Sequence, residues 1–227
     1  MKPEIIFEDN YIVVVNKPNN MLVHHSSYAK NLENEEALID LLEKYTEQKL
    51  YPIHRLDYKT SGLIMFCKHR KDVSVFQSLF ENQGIEKKYI ALLRGFVEAS
   101  GTIESPVKNE RGNYKEALTH FFCLQQFELN IAVEPYSTAR YSMVEMQPKT
   151  GRTNQLRIHA NKINHPIIGD PKFGNRHHNH MFAQKLNIPF LFLHAKSLSF
   201  IHPFTDEKLE ITSNLPNFWH RFFEIKD

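Results

Sequence analysis

The run Leu63-Ile64-Met65-Phe66-Cys67, entered through Thr60-Ser61-Gly62, constrains the fold more than any other stretch of this 227-residue chain. An apolar run behind a Ser-Gly turn has no polar face to offer water. It predicts a buried strand from Gly62 to Lys68. Just before it, in Ile53-His54-Arg55-Leu56-Asp57, an arginine and a carboxylate stand two residues apart. An acid this close to a buried strand is costly to hold ionised without a partner. That placement suggests that Asp57 is a positioned nucleophile or base; the alternative is a loop aspartate bonded to turn amides.

Elsewhere strand and helix signals intermingle. Ile5-Ile6-Phe7 and Tyr11 to Val15 are β-type runs, closed by the turn Asn16-Lys17-Pro18-Asn19-Asn20. From Glu36 to Tyr45, Leu38, Leu41, Leu42 and Tyr45 recur at helical spacing with acids opposite. Asp72 to Asn82 reads as a second helix, with Val73, Phe76, Leu79 and Phe80 inward and Gly84 to end it. Lys88 to Arg94 is a strand ending at Gly95, and Ala117 to Glu145 is largely β. The turn Lys149 to Thr153 opens a helix from Asn154 to Ile163, with Leu156 and Ile163 on one face. Leu191 to Phe200 is a late strand. Asn214 to Phe223 is a final helix, capped by Asn214 with Pro216 in its first turn. Strands outnumber helices and hairpin spacings recur, which predicts an α+β fold: a mixed, largely antiparallel sheet flanked by helices. No repeat or low-complexity linker interrupts the chain, so one domain over residues 1–227 is the simplest division.

Composition excludes other classes. With 41% hydrophobic and 24% charged residues the chain is neither disordered nor fibrous. No apolar run approaches the roughly 20 residues of a bilayer span, and Met1-Lys2-Pro3-Glu4 does not open a signal peptide. These features predict a soluble, cytoplasmic protein with no membrane partner. Cys67 and Cys123 are too few for a disulfide framework and suit buried thiols, with a single disulfide as the alternative. The net charge of +2 says little about partners, but its distribution says more. Acids crowd at Glu33, Glu35, Glu36, Asp40, Glu43 and Glu47; bases crowd at Lys68 to Lys71, Lys87-Lys88, Lys108 to Lys115 and Lys149 to Arg157. Such asymmetry can give the single positive face a nucleic acid needs; scattered solvated faces are the alternative. His24-His25 and the trio His177, His178 and His180 raise a zinc site, but without nearby cysteines or ordered ligand spacing no metal is expected.

Five segments in order resemble the RluA-type pseudouridine synthases. They are His54-Arg55-Leu56-Asp57 with Thr60-Ser61-Gly62; Lys87-Lys88-Tyr89-Ile90-Ala91 with Arg94-Gly95; Lys149 to His159; His165 to Gly174; and Leu193-His194-Ala195 with Phe200-Ile201-His202-Pro203. The resemblance implies a pseudouridine synthase-like fold and an enzyme that isomerises uridine to pseudouridine in RNA without cofactor or metal. It makes Asp57 the catalytic carboxylate and Arg157 the arginine that pairs with it. It has Tyr89 stack on the target uracil, Leu156 line the uracil pocket and Arg55 help displace the target nucleotide. Without the resemblance, Tyr89 and Leu156 read as core residues and the two arginines as solvated ones.

Two departures stand out: Tyr58 follows the acid where the family commonly has arginine, and Asn154 stands where histidine is common. The family's N-terminal S4 domain is not expected. The short form, the Asn16-Lys17-Pro18 and Leu22-Val23-His24 opening and the Gly169 to Asn179 segment resemble tRNA-modifying members. That likeness implies an RNA partner, most of all tRNA at uridine 65 of the T-stem, with no obligate protein partner evident. The same chemistry on ribosomal RNA or another tRNA position is one alternative. An RNA-binding protein or chaperone without turnover is an alternative of another class. A cofactor-free glycoside hydrolase is a third, for which no second acid stands in a comparable motif.

Overall fold

A computed structural model describes residues 2–25, 36–109 and 111–225. Glu33 and Glu35 of the acidic segment lie outside the described residues. In chain order the elements are β1 (Glu4–Glu8), β2 (Ile12–Lys17), α1 (Leu38–Thr46), β3 (Tyr51–Pro52), β4 (Ser61–Cys67), α2 (Val73–Glu81) and β5 (Ile85–Arg94). There follow β6 (Ser100–Glu104), β7 (Val107–Lys108), β8 (Tyr114–Lys115), β9 (Leu118–Leu129), β10 (Ala139–Pro148), α3 (Gln155–Lys162) and α4 (Arg176–Gln184). The chain closes with β11 (Leu193–Ile201), β12 (Lys208–Thr212) and α5 (Asn217–Ile225). The class is α+β with largely antiparallel pairing, as the sequence predicts. Residues 1–86 and 195–214 form one compact unit, and residues 87–194 and 215–227 a second.

In the first unit β1 pairs antiparallel with β2, β2 with β4, and β11 with β12. All seven residues of β4 are buried, as are Ile12 to Val15 of β2. Ile12, Val14, Leu63, Met65 and Cys67 join Phe76, Leu198, Phe200 and Ile211 in one core. Val13, Val15, Ile64 and Phe66, the intervening residues, are buried as well. Two covered faces explain why these strands are continuous apolar runs rather than alternating ones. Gly62 lies at φ +109, and a Cβ there would fall 2.3 Å from the Ala195 carbonyl oxygen, so only glycine fits.

Two helix details differ from the sequence reading. α1 buries Leu38, Leu41 and Leu42, but Tyr45 is 48% exposed, with Lys2 Nζ 5.3 Å from its ring centroid. Three leucines already fill the stripe, and an amphipathic ring gains from a cation at the surface. At the end of α2, Gln83 rather than Gly84 takes the left-handed position (φ 59), while the Gly84 amide donates to Leu79 O at 2.7 Å. Phe76 is fully buried on α2; Val73, Leu79 and Phe80 are partly buried against the same core.

In the second unit β5, β10, β9 and β6 form a four-stranded antiparallel array. Its core is strongly aromatic: Phe192 meets Phe182 and Trp219 edge-on at 5.4 and 4.9 Å between centroids, and Phe218 and Phe222 of α5 join them. Each such side chain contributes roughly 1.5–3 kcal/mol by burial. α5 begins at Asn217, so Asn214 does not cap it and Pro216 precedes it, accepting the Trp219 amide at 2.9 Å. α4 has too little apolar periodicity to read from sequence, yet its start is signalled by Asn175, whose side chain accepts the amides of His177 and His178. Cys67 and Cys123 are free thiols. Among the described residues no helix is long and apolar enough to cross a membrane.

Candidate active site

Arg55 and Asp57 lie on the loop between β3 and β4, in the first unit. His54 anchors its start, accepting the Met65 amide on Nε2 (3.1 Å) and stacking on Phe80. Leu56 is buried, whereas Arg55 is exposed and Asp57 half-buried, the alternation expected of extended backbone. Asp57 then heads a tight turn closed by the Thr60 amide on its carbonyl oxygen at 3.0 Å.

That turn is gripped from the end of β2 and the loop after it. The Tyr58 carbonyl accepts from the Met21 amide (3.2 Å) and from Lys17 Nζ (3.1 Å), and the Lys59 carbonyl from Asn19 Nδ2 (2.6 Å). Lys17 is completely buried, and Nζ also donates to the carbonyls of Pro18 (2.9 Å) and Met21 (3.0 Å), which uses all three ammonium hydrogens. Burial pushes its pKa down to about 7, opposed by the negative charge of Asp57. The sequence reading assigned Lys17 no role. Its signal was a lysine closing a strand of otherwise buried residues.

Tyr89, Leu156 and Arg157 belong to the second unit. Tyr89 is half-buried on β5 opposite Met146 of β10 and packs against the aromatic core. Nearby Lys87 is pushed below its usual pKa by burial and by the charge of Lys149. α3 carries the other two. Gln155 locks its start, accepting from Thr150 Oγ1 (2.7 Å) and the Arg152 amide (3.0 Å) and donating to Leu118 O (3.0 Å). Asn154 precedes it in the left-handed conformation, φ 57. Leu156 is buried in the core of this unit.

Arg157 is 8% exposed and bonded to an acid the sequence reading gave no role, Asp170, itself 1% exposed. Nε and Nη2 donate to the two carboxylate oxygens at 2.7 and 2.8 Å, while Nη1 donates to Asn154 Oδ1 at 2.5 Å. The Phe173 ring lies 5.2 Å from the guanidinium carbon. Burial alone would raise the Asp170 carboxyl. Hydrogen bonds from Arg157 and the amides of Phe173 and Lys172, with the arginine's charge, outweigh it and hold the group below the ordinary range. The sequence signal was an acid in the Gly169-Asp170-Pro171 turn, but the turn does not say which cation it serves.

The histidines have separate settings. His178 Nδ1 meets the Tyr141 hydroxyl at 2.8 Å, and burial, then the charges of Arg94 and His177, pushes His178 down to about 4. Among the described residues no group of three or more potential ligands is placed to hold a metal ion. Lys108, Arg111 and Lys115 make the β7–β8 hairpin basic; Lys108 Nζ lies 6.0 Å from the ring centroid of Tyr114, which is 68% exposed, and Arg152 Nε donates to Glu116 O at 3.2 Å.

Comparison with known proteins converges on one family. The family model described as RNA pseudouridylate synthase matches residues 11–162. A Vibrio cholerae protein named tRNA pseudouridine synthase C is 37% identical over 95% of this chain and 92% of its own length. A Pasteurella multocida protein of the same name is 34% identical over 100% and 97%. Human RNA Pseudouridylate Synthase Domain Containing 1 superposes with a TM-score of 0.73 at 25% identity, covering 94% of this chain and 84% of its own. Human RNA Pseudouridylate Synthase Domain Containing 4 shares the fold, with a TM-score of 0.71, 23% identity and coverage of 98% and 92%. With a family match over most of its length and relatives similar from end to end, the chain belongs to the RNA pseudouridylate synthases, enzymes of the isomerase class.

Proposed function

We propose that this enzyme isomerises uridine 65 in the T-stem of tRNA to pseudouridine, with Asp57 as its catalytic carboxylate. The observation that carries the tRNA reading is the end-to-end similarity to several bacterial proteins named tRNA pseudouridine synthase C. The T-stem position rests on the sequence resemblance. The uracil N1–C1′ bond breaks, the base turns, C5 bonds to C1′, and the C5 proton is lost as N1 gains one. No redox partner is needed. Asp57 acts on the sugar, by attack at C1′ or by proton abstraction at C2′. Its support is local: a half-buried acid at the head of a turn held by Lys17 and Asn19.

Tyr89 stacks on the uracil and assists removal of the C5 proton; Leu156 lines the base pocket. Arg157 serves as the arginine partner of Asp57 that the resemblance implies, and Arg55 helps displace the target nucleotide, whose extrusion costs about a few kcal/mol. The exposed position of Arg55 suits that task. The hairpin bearing Lys108, Arg111 and Lys115 supplies phosphate contacts, while RNA shape supplies selectivity. Residues 1–227 act as one catalytic domain in the cytoplasm, where tRNA is found.

The test is Asp57→Asn assayed on a tRNA transcript. Pseudouridine formation should fall about a thousandfold or more with RNA affinity largely kept. Normal turnover by that variant would reject the assignment. Mapping pseudouridine in cells with and without the gene tests the target. Loss at tRNA position 65 supports it, and loss of a ribosomal mark overturns it.

A further inference from the structure

We infer that Asp170 and Asn154 are positioning residues that jointly aim Arg157, and that turnover depends on that aim; the inference rests on the role of Arg157 proposed above. A guanidinium has five N–H donors. Nε and Nη2 donate to the two oxygens of Asp170, and Nη1 to Asn154 Oδ1. Gripped along its side by a carboxylate and held at Nη1 by an amide, the planar group cannot swing about its last torsion. Phe173 limits tilting from one flat side.

The anchor is itself braced. Asp170 Oδ1 also accepts the amides of Lys172 (2.9 Å) and Phe173 (3.0 Å). Its carbonyl accepts Asn179 Nδ2 (2.8 Å) and the Gly174 amide (3.1 Å), and Asn179 Oδ1 accepts the Gly169 amide (2.8 Å). Two glycines make this loop possible. A Cβ on Gly169, at φ +78, would fall 1.9 Å from Phe190 O, and one on Gly174 would fall 2.2 Å from Asp170 O. Asn154 adds a second hold from a left-handed residue, a conformation asparagine adopts more readily than most. Asn154, standing where histidine is common in the family, thus makes a contact of its own: a short amide reaches Nη1 from the first position before α3.

The experiment assays Asp170→Asn and Asn154→Ala in the full chain on a tRNA transcript, beside Asp57→Asn. Misplacing a catalytic group by about 1 Å can cost about a hundredfold, and that fall in kcat is expected of Asp170→Asn, with KM within about twofold. Asn154→Ala should lose about tenfold in the same way, and the double variant less than the product, because both act through one guanidinium. Unchanged kcat in folded Asp170→Asn, or a loss carried by KM, would overturn the inference. Should Asp170→Asn fail to fold, Asn154→Ala decides, since it leaves the buried ion pair intact; an unchanged kcat there overturns it equally. Turnover by Asp57→Asn would instead reject the underlying reading, on a chain whose Asp170 and Asn154 are untouched.

Discussion

Among the described residues, Lys17 in the first compact unit and Arg157 in the second are the buried lysine and arginine, and the two cations are solvated in opposite ways. Lys17, in the first, donates to three backbone carbonyls, and burial pushes its pKa down to about 7. Arg157, in the second, has the paired oxygens of Asp170. Carbonyl dipoles replace much of a cation's hydration but bring no net charge, so the lysine can relieve its burial by shedding a proton. A guanidinium has no such outlet, and only a full counter-charge makes its burial tolerable. The lysine is thus suited to tying the Asp57 turn to β2. The arginine is suited to presenting a permanent charge.

The sharpest way to break this comparison is Arg157→Ala. It leaves the Asp170 carboxylate buried without its cation, so a loss of about 3–5 kcal/mol is expected in denaturant melts, together with a large loss of pseudouridine formation. Near-wild-type turnover would reject its catalytic role. Exchanging the pair for apolar residues, Arg157→Met with Asp170→Leu, should regain most of the stability and none of the activity.

Lys17→Met should cost less, about 2–4 kcal/mol, because it strands neutral carbonyls rather than a charge. It should also erase a pH dependence. The folded pKa of Lys17 lies below the unfolded value, so between about 7 and 10.5 the unfolded chain holds more protons and stability rises with pH. Below that window both states are charged, and above it both are neutral. The Arg157–Asp170 pair behaves otherwise: Asp170 is held low, so its contribution is present above the ordinary carboxylate range and fades only as pH falls through the folded value. Urea melts of the parent and Lys17→Met from pH 6.5 to 10 would show whether the alkaline slope disappears. A slope unchanged by the substitution would refute the assignment. The smallest effect belongs to Asn19→Ala, which removes among other contacts the bond to the Lys59 carbonyl and should cost about 1 kcal/mol.

Much of the scaffold was legible from local chemistry. β2 and β4 are unbroken apolar runs because both faces are covered, and the Asp57 loop is bounded by a strand and a Thr-Ser-Gly turn. α2 and α3 show in helical spacing, whereas α4 has mainly Met181 and Phe182 to bury and shows only in its Asn175 cap. Tyr45 continues the helical pattern of α1 yet stays 48% exposed. Nothing local indicated that α5 would begin after Pro216 instead of at Asn214, since either residue can open a helix.

The sequence by itself determined the family, the strand-and-turn setting of Asp57 and the places of Tyr89, Leu156 and Arg157 on their elements. The family follows from the resemblance of its motifs; the rest follows from residue types and spacings, which act over a few residues. Tertiary structure alone decided which polar groups meet. Arg157 finds Asp170 thirteen residues away across a glycine-dependent loop, and Lys17 finds the Tyr58 carbonyl forty-one residues on. Such pairings are set by which buried charges and dipoles the closed chain brings within hydrogen-bonding distance, and no local propensity encodes that distance.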